Sequence, residues 1–285
     1  SGTVRLADLF NGHPVTAETA KSFDLEHMAN IVCRGGWPQS LMMAGRARFE
    51  TAKNILQAIA ERDISRVDNT TRDPDRALKL MRSYARLQGT QASAKVIKAD
   101  LASSEMISIG DDTIYSYLNA LRKLFVIEES HAWCPNLRTK DAVRTSDTRY
   151  YVDPSIAVAA LGAGPGELMD DLKTFGFLFE TMAMRDLRVY AEALEGEVRH
   201  YHDKQGLECD AVIHLANGRY ALFEIKLGGK RLIDEGANTL NALSRLIADK
   251  NLPTPAFRMI VTAVGEFAYT RQEDGIIVCP LSALN

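Results

Sequence analysis

Around the short stretch Ala216-Asn217-Gly218 the chain carries Cys209-Asp210-Ala211 on one side and Phe223-Glu224-Ile225-Lys226 on the other. Side chains alternate between the faces of a strand, so Glu224 and Lys226 share one face of a segment that is otherwise apolar. Asp210 joins them in one of two hairpin registers. A two-residue Asn-Gly loop sets Asp210 opposite Ile225, on the wrong face; a three-residue loop, with Gly218 left-handed in a bulge, sets it opposite Glu224. Asn217-Gly218 suits both loops, so the register is an expectation for the structure to decide.

Two carboxylates and a lysine converging in this way are what a Mg²⁺-dependent phosphodiesterase needs. Hard oxygen ligands hold the cation, the cation lowers the pKa of a bound water, and the ammonium orients the nucleophile or offsets charge at the phosphorus. Glu180 adds a third acid on a helical stripe with Phe177, Met184, Leu187 and Ala191, where an uncompensated carboxylate would be costly. An E-x-K triplet alone is common, however, and the same residues also describe a carboxylate-lysine network that binds a partner or stabilises a core.

Other residue types are less pointed. A helix over residues 113–124 exposes Thr113, Ser116, Asn119, Arg122 and Lys123, a face suited to base edges and phosphates. Asp111 and Asp112 stand at its start, the end that should approach phosphate, where either serves as N-cap. His200 and His202 alternate on a strand with His214 nearby, and they read as strand residues rather than metal ligands. Gly35-Gly36-Trp37-Pro38 reads as a structural break anchored by its tryptophan. The Gly229-Lys230 pair has Glu224 where a P-loop has its first glycine and Arg231 where it needs Ser or Thr, so no ATP binding is expected of this chain alone.

The elements that must position these residues follow from periodicity and breakers. Residues 1–24 are a linker or docking segment with Leu6, Leu9 and Phe10 as a small apolar stripe. Helical patterns follow over 24–34 and 39–63, then over 75–88, 93–101 and the segment after Gly110, with a strand over 126–133; that order is the one a winged helix-turn-helix uses. A strand at 149–152 and an Ala-rich helix from Pro154 precede a long helix, 172–194. Strands at 197–202, 209–215 and 220–227, a helix at 233–249 and strands at 256–263 and 275–279 complete the chain. The expected fold is α/β or α+β: a helical and winged-helix region, 25–148, then a mixed β-sheet domain flanked by helices, 149–285.

At 285 residues with 46% hydrophobic content the chain can bury the cores of two domains. Its formal net charge of −3 requires any nucleic-acid contact to come from a local basic face. No apolar run approaches the roughly 20 residues of a membrane helix, and no signal peptide opens the chain, so no membrane partner is expected. Cys33, Cys134, Cys209 and Cys279 show neither CxxC nor metal-like spacing, which fits a reducing cytoplasm. Ser1-Gly2 in place of Met reads as a cloning scar on a fragment.

The constellation resembles the PD-(D/E)xK nuclease superfamily. In order, Arg34-Gly35-Gly36-Trp37-Pro38, Trp133-Cys134-Pro135-Asn136, Arg149-Tyr150-Tyr151-Val152-Asp153-Pro154 and Gly176-Phe177-Leu178-Phe179-Glu180 resemble landmarks of the DUF4143 family, from about residue 24 to 281. That family forms the C-terminal region of bacterial and archaeal AAA-type ATPases, after an ATP-binding domain that this chain lacks. The resemblance implies a restriction-endonuclease-like domain with Asp210 and Glu224 as Mg²⁺ ligands, Lys226 as catalytic lysine and Glu180 as auxiliary acid. DNA is the implied partner, with the ATP-binding domain supplied in cis or in trans. The alternative is a non-catalytic module in which the nuclease-like fold binds nucleic acid or protein. Cys209, where an apolar β-former such as Val is expected, is a departure from the pattern.

Overall fold

The computed structural model describes residues 4–15, 22–135 and 146–285. Expectations resting on Ser1-Gly2 and on Asn136 lie outside the described residues. The helices before the first strand are α1 (Leu6–Phe10), α2 (Leu25–Arg34), α3 (Pro38–Leu41), α4 (Glu50–Ala58), α5 (Ile64–Arg66), α6 (Pro74–Leu87), α7 (Ala94–Ser104) and α8 (Asp111–Lys123). Strands β1 (Ile127–Ser130) and β2 (Thr148–Tyr151) lead to α9 (Pro154–Leu161), α10 (Pro165–Asp170) and α11 (Leu172–Glu192). The remainder is β3 (Gly196–His202), β4 (Glu208–Leu215), β5 (Tyr220–Lys226), α12 (Lys230–Asp249), β6 (Arg258–Thr262), β7 (Tyr269–Thr270) and β8 (Ile277–Pro280). The chain is thus mixed α/β, with N-terminal helices followed by a six-stranded mixed sheet.

Two compact units divide the chain discontinuously. Residues 29–129 and 148–182 form a helical unit; residues 1–28, 130–147 and 183–285 form a sheet unit. The boundary read from the sequence between residues 148 and 149 does not coincide with this division, because β2 pairs with β1 and α9 packs on α4 and α6.

In the helical unit, cap chemistry fixes where helices begin. Asp73 accepts from the Arg76 N–H at the start of α6, and Ser93 accepts from the Val96 N–H at the start of α7. At α8 the cap position is Gly110, and Asp111 lies in the first turn with its carboxylate on Lys98 at 2.7 Å. The expectation that Asp111 or Asp112 caps this helix is therefore corrected. β1 and β2 form a two-stranded sheet.

The Gly-Gly-Trp-Pro break has a partner 117 residues away in sequence. Asp153, the cap of α9, accepts from the Ser155 N–H at 3.0 Å, the Ser155 hydroxyl at 2.6 Å and the Gly36 N–H at 3.0 Å. Trp37 then donates its indole N–H to Ser155 Oγ at 2.9 Å. Gly35 is at φ +71°, and a Cβ there would stand 2.4 Å from Ser155 Oγ and 2.5 Å from Asp153 Oδ1. Glycine is required on both counts.

In the sheet unit the strand order is β3-β4-β5-β6-β8-β7. β3, β4 and β5 pair antiparallel, β5, β6 and β8 pair parallel, and β7 returns antiparallel on β8. Parallel pairing of β5 with β6 demands a crossover, which α12 supplies. Leu240, Leu243 and Ile247 of α12 pack with Val212, Leu222 and Ile260 of the strands and with Trp133. Residues 126–133 were expected as one strand. The structure ends it at Ser130, and the Trp133 N–H instead bonds the His200 carbonyl, seating the indole 4.7 Å from the Tyr220 ring. Leu6, Leu9 and Phe10 are buried, and Val4 bridges Leu284 in parallel. No helix among the described residues is long and apolar enough to cross a membrane.

Candidate active site

The hairpin between β4 and β5 takes the register that brings the acids together. Pairs Ala211 with Phe223, Val212 with Leu222, Ile213 with Ala221 and His214 with Tyr220 place Ala216, Asn217 and Gly218 in the connection. Gly218, at φ +84°, supplies the left-handed residue, and its N–H bonds the Leu215 carbonyl at 2.9 Å. One step further along the same register, Asp210 lies opposite Glu224.

The side chains close on one another. Asp210 Oδ2 accepts from the Ile225 N–H at 2.7 Å and from Lys226 Nζ at 3.0 Å. Lys226 Nζ is also 2.6 Å from Glu224 Oε2. The side chain of Glu224 is 4% exposed, against 19% for Asp210 and 23% for Lys226, so the group opens to solvent on its aspartate and lysine side. Burial, with the Asp210 charge in support, pushes the Glu224 carboxyl up to about 8. Burial works against the Lys226 charge, but Asp210 and Glu224 outweigh it and hold the ammonium well above the usual lysine range. One ammonium facing two carboxylates leaves the group one positive charge short when both acids ionise.

The other expected residues are placed differently. Glu180 belongs to the helical unit, where the Tyr150 hydroxyl donates to its Oε1 at 2.6 Å. On α8, Arg122 is engaged by the Glu129 carboxylate and by Asn119 Oδ1 at 2.8 Å. Ser116 Oγ accepts from Arg72 at 3.0 Å, while Lys123 is exposed 3.8 Å from Asp68. Thr113 is half-buried and Asn119 exposed. Of the five residues expected on this face, Asn119 and Lys123 are exposed, and the guanidinium of Arg122 is held by Glu129. His200 is buried with Nδ1 2.9 Å from the Ser130 carbonyl, and His202 pairs with Glu208 at 3.1 Å. Among the described residues no group of three or more His, Cys, Asp or Glu is placed to hold a metal.

Sequence reasoning missed the bond from the Ile225 N–H to Asp210 and the exposed pair formed by Phe267, just before β7, and Tyr269, its first residue. The pair had a signal: aromatic residues two apart in a short polar segment.

Comparison with known families gives two adjacent matches. Residues 25–167 match the family described as Domain of unknown function (DUF8612), and residues 175–284 match Domain of unknown function (DUF4143). Neither the comparison with curated proteins nor that with solved structures gave a match. The single family suggested by the landmarks over residues 24–281 therefore resolves into two: the segments at 34–38, 133–136 and 149–154 fall in the first match, and the one at 176–180, with Asp210, Glu224 and Lys226, in the second. The chain belongs to the DUF8612 family, which covers half its length, and carries a DUF4143 domain at residues 175–284.

Proposed function

We propose that Asp210, Glu224 and Lys226 are the centre of a divalent-metal-dependent phosphodiesterase acting on DNA, in the C-terminal module of a cytoplasmic AAA-type ATPase. The observation that carries this reading is the placement of Lys226 Nζ between two carboxylates, 3.0 Å from Asp210 and 2.6 Å from Glu224. A structural ion pair needs one acid for one base. Here the second acid is buried, burial works against its ionisation, and ionising both acids leaves a negative charge that a further cation would balance.

The donor set fits Mg²⁺ or Mn²⁺, since carboxylate oxygens are their preferred ligands. Asp210 and Glu224 would hold the ion, which when bound supplies an activated water and polarises the phosphoryl oxygen. Lys226 places a fixed positive charge beside the scissile phosphate and offsets the charge that grows on it. The Ile225 N–H holds Asp210 in place, so the carboxylate needs no reorganisation as the substrate arrives. Glu180, the auxiliary acid that the resemblance implies, lies in the helical unit with the Tyr150 hydroxyl on its Oε1 and carries no step in this reading.

The order α6, α7, α8, β1, β2 supports a winged-helix reading of the helical unit, with Thr113, Asn119 and Lys123 as its DNA-facing residues. Membership of DUF4143 supports work beside an ATP-binding domain. Plasmid and single-stranded DNA incubated with Mg²⁺, Mn²⁺ or EDTA test the reading. Cleavage that requires the metal and disappears in Asp210→Ala and Lys226→Ala is the expected result. Folded wild-type protein that cleaves no better than either variant would leave a nuclease-like fold used for binding alone.

A further inference from the structure

A cavity of about 350 Å³ opens at the carboxyl ends of the parallel strands β5, β6 and β8, one strand over from Lys226. Its walls include Ile233, Thr262, Val264, Phe267, Tyr269 and Pro280. Thr262 is the register partner of Lys226, so the cavity begins where the candidate active site ends. Its volume lies at the lower end of the range for small-molecule sites, about 300–1,000 Å³. The carboxyl ends of parallel strands are also where open α/β sheets hold their ligands.

Two features give the cavity a chemistry. Phe267 is 46% exposed and Tyr269 is 37% exposed, and their rings lie 5.9 Å apart at 58° along one wall. Large aromatic rings left in water at the mouth of a cavity, beside a phosphodiesterase centre, are suited to stacking on a nucleobase. The second feature is the charge nearby: Lys230 and Arg231 open α12 immediately after Gly229, which lines the cavity together with one acid, Glu266. Their partners, Asp234 and Glu235, are surface acids four residues on. Exposed pairs of this kind are worth little, and both cations can turn to a phosphate at small cost.

A close approach holds the cavity's shape. Gly228 is at φ +118°, and a Cβ there would stand 2.6 Å from Val264 Cγ2, so the loop after β5 packs directly on the loop after β6.

We infer that this cavity is a subsite for an unpaired nucleobase, with Phe267 and Tyr269 as the stacking surface, so that the strand entering the phosphodiesterase centre is single-stranded at that position. The inference rests on the proposed phosphodiesterase reading for the source of its ligand. A base in a duplex is stacked on its neighbours and offers no free face, whereas an unpaired base does. Lys230 and Arg231 then meet the phosphates flanking that base, while Lys226 faces the one to be cleaved.

The test uses the full chain, a fluorescent single-stranded deoxyoligonucleotide and the matching blunt duplex, with binding measured by anisotropy in EDTA and cleavage measured in Mn²⁺. Wild type is expected to bind the single strand at least about tenfold tighter than the duplex. Phe267→Ala/Tyr269→Ala should lose about ten- to a hundredfold in single-strand affinity, since stacking on aromatic side chains is worth that much. Duplex binding should stay within twofold, and Phe267→Trp should retain the single-strand preference. An oligonucleotide of abasic sites should bind wild type as weakly as the base-containing strand binds the double variant. If the double variant binds and cleaves the single strand like wild type while Asp210→Ala abolishes cleavage, the base subsite is overturned and the phosphodiesterase reading stands. Aromatic-dependent single-strand binding without cleavage by wild type would support the subsite and overturn the phosphodiesterase.

Discussion

The helical unit and the sheet unit each hold an aspartate at the heart of a sequence landmark, Asp153 buried and Asp210 partly open to solvent, and the two are satisfied differently. Asp153 accepts from three neutral donors, the Ser155 N–H, the Ser155 hydroxyl and the Gly36 N–H. Its carboxylate ties the cap of α9 to the tight loop at Gly36. Asp210 shares a lysine with a second, more deeply buried acid, and the group is one positive charge short when both acids ionise. Dipoles aimed at a carboxylate build a fold, whereas a charge imbalance kept next to solvent invites a cation and its chemistry. Gly-Gly-Trp-Pro and Asp-Pro-Ser thus hold architecture together, and the E-x-K element is the one that the proposed function would use.

The largest expected effect sharpens that contrast. Asp210→Asn should lower metal-dependent cleavage by at least about a thousandfold, the scale of losing a preorganised charged group, while stability changes by less than about 1 kcal/mol. The mirror experiment is in the helical unit. Asp153→Ala strips three donors of their acceptor and removes a cap, and should cost about 2–4 kcal/mol, read as a fall in the unfolding midpoint. Gly35→Ala should cost a similar amount, about 2–5 kcal/mol, because it adds a clash with Ser155 to a left-handed backbone. If Asp153→Ala left stability unchanged and Asp210→Asn collapsed it, the assignment of roles would be reversed.

A smaller effect concerns pH. The Glu224 carboxyl is raised by burial to about 8 in the folded protein, against an ordinary unfolded value of 4.5. Between those values the folded chain keeps a proton that the unfolded chain has released. The contribution is therefore complete below pH 4.5 and is lost as pH rises through about 8. In EDTA, Glu224→Gln should flatten the decline in unfolding midpoint between pH 5 and pH 8.5 relative to wild type. An identical decline in both proteins would show that Glu224 ionises normally. The smallest effect is at the hairpin: Gly218→Ala, with a left-handed φ but open space around its Cβ, should cost only about 1–2 kcal/mol.

Much of the candidate site was legible because its signals are local. Strand alternation put Glu224 and Lys226 on one face, and Asn217-Gly218 narrowed the hairpin to two loops, of which the structure takes the three-residue form. The order of one helix, three strands, one helix and two strands was legible for the same reason, whereas the two-residue β7 offers no periodicity to read. Long-range facts were hidden. Nothing in Gly35 or Gly36 announces Asp153, and the apolar stripe of Leu6, Leu9 and Phe10 does not reveal that Val4 pairs with Leu284. The α8 face misled in part because helical spacing identifies which residues point outward but not which acids wait beside them: Arg122 is claimed by Glu129.

The most direct test of the central claim is a calorimetric titration of Mn²⁺ into chelator-stripped wild type, Asp210→Asn and Glu224→Gln. One binding event in wild type, lost or weakened at least about tenfold in each variant while all three remain folded, is the result expected if the two carboxylates hold the ion. No binding in wild type, or equal binding in all three proteins, would contradict it and return Asp210, Glu224 and Lys226 to the role of a structural network.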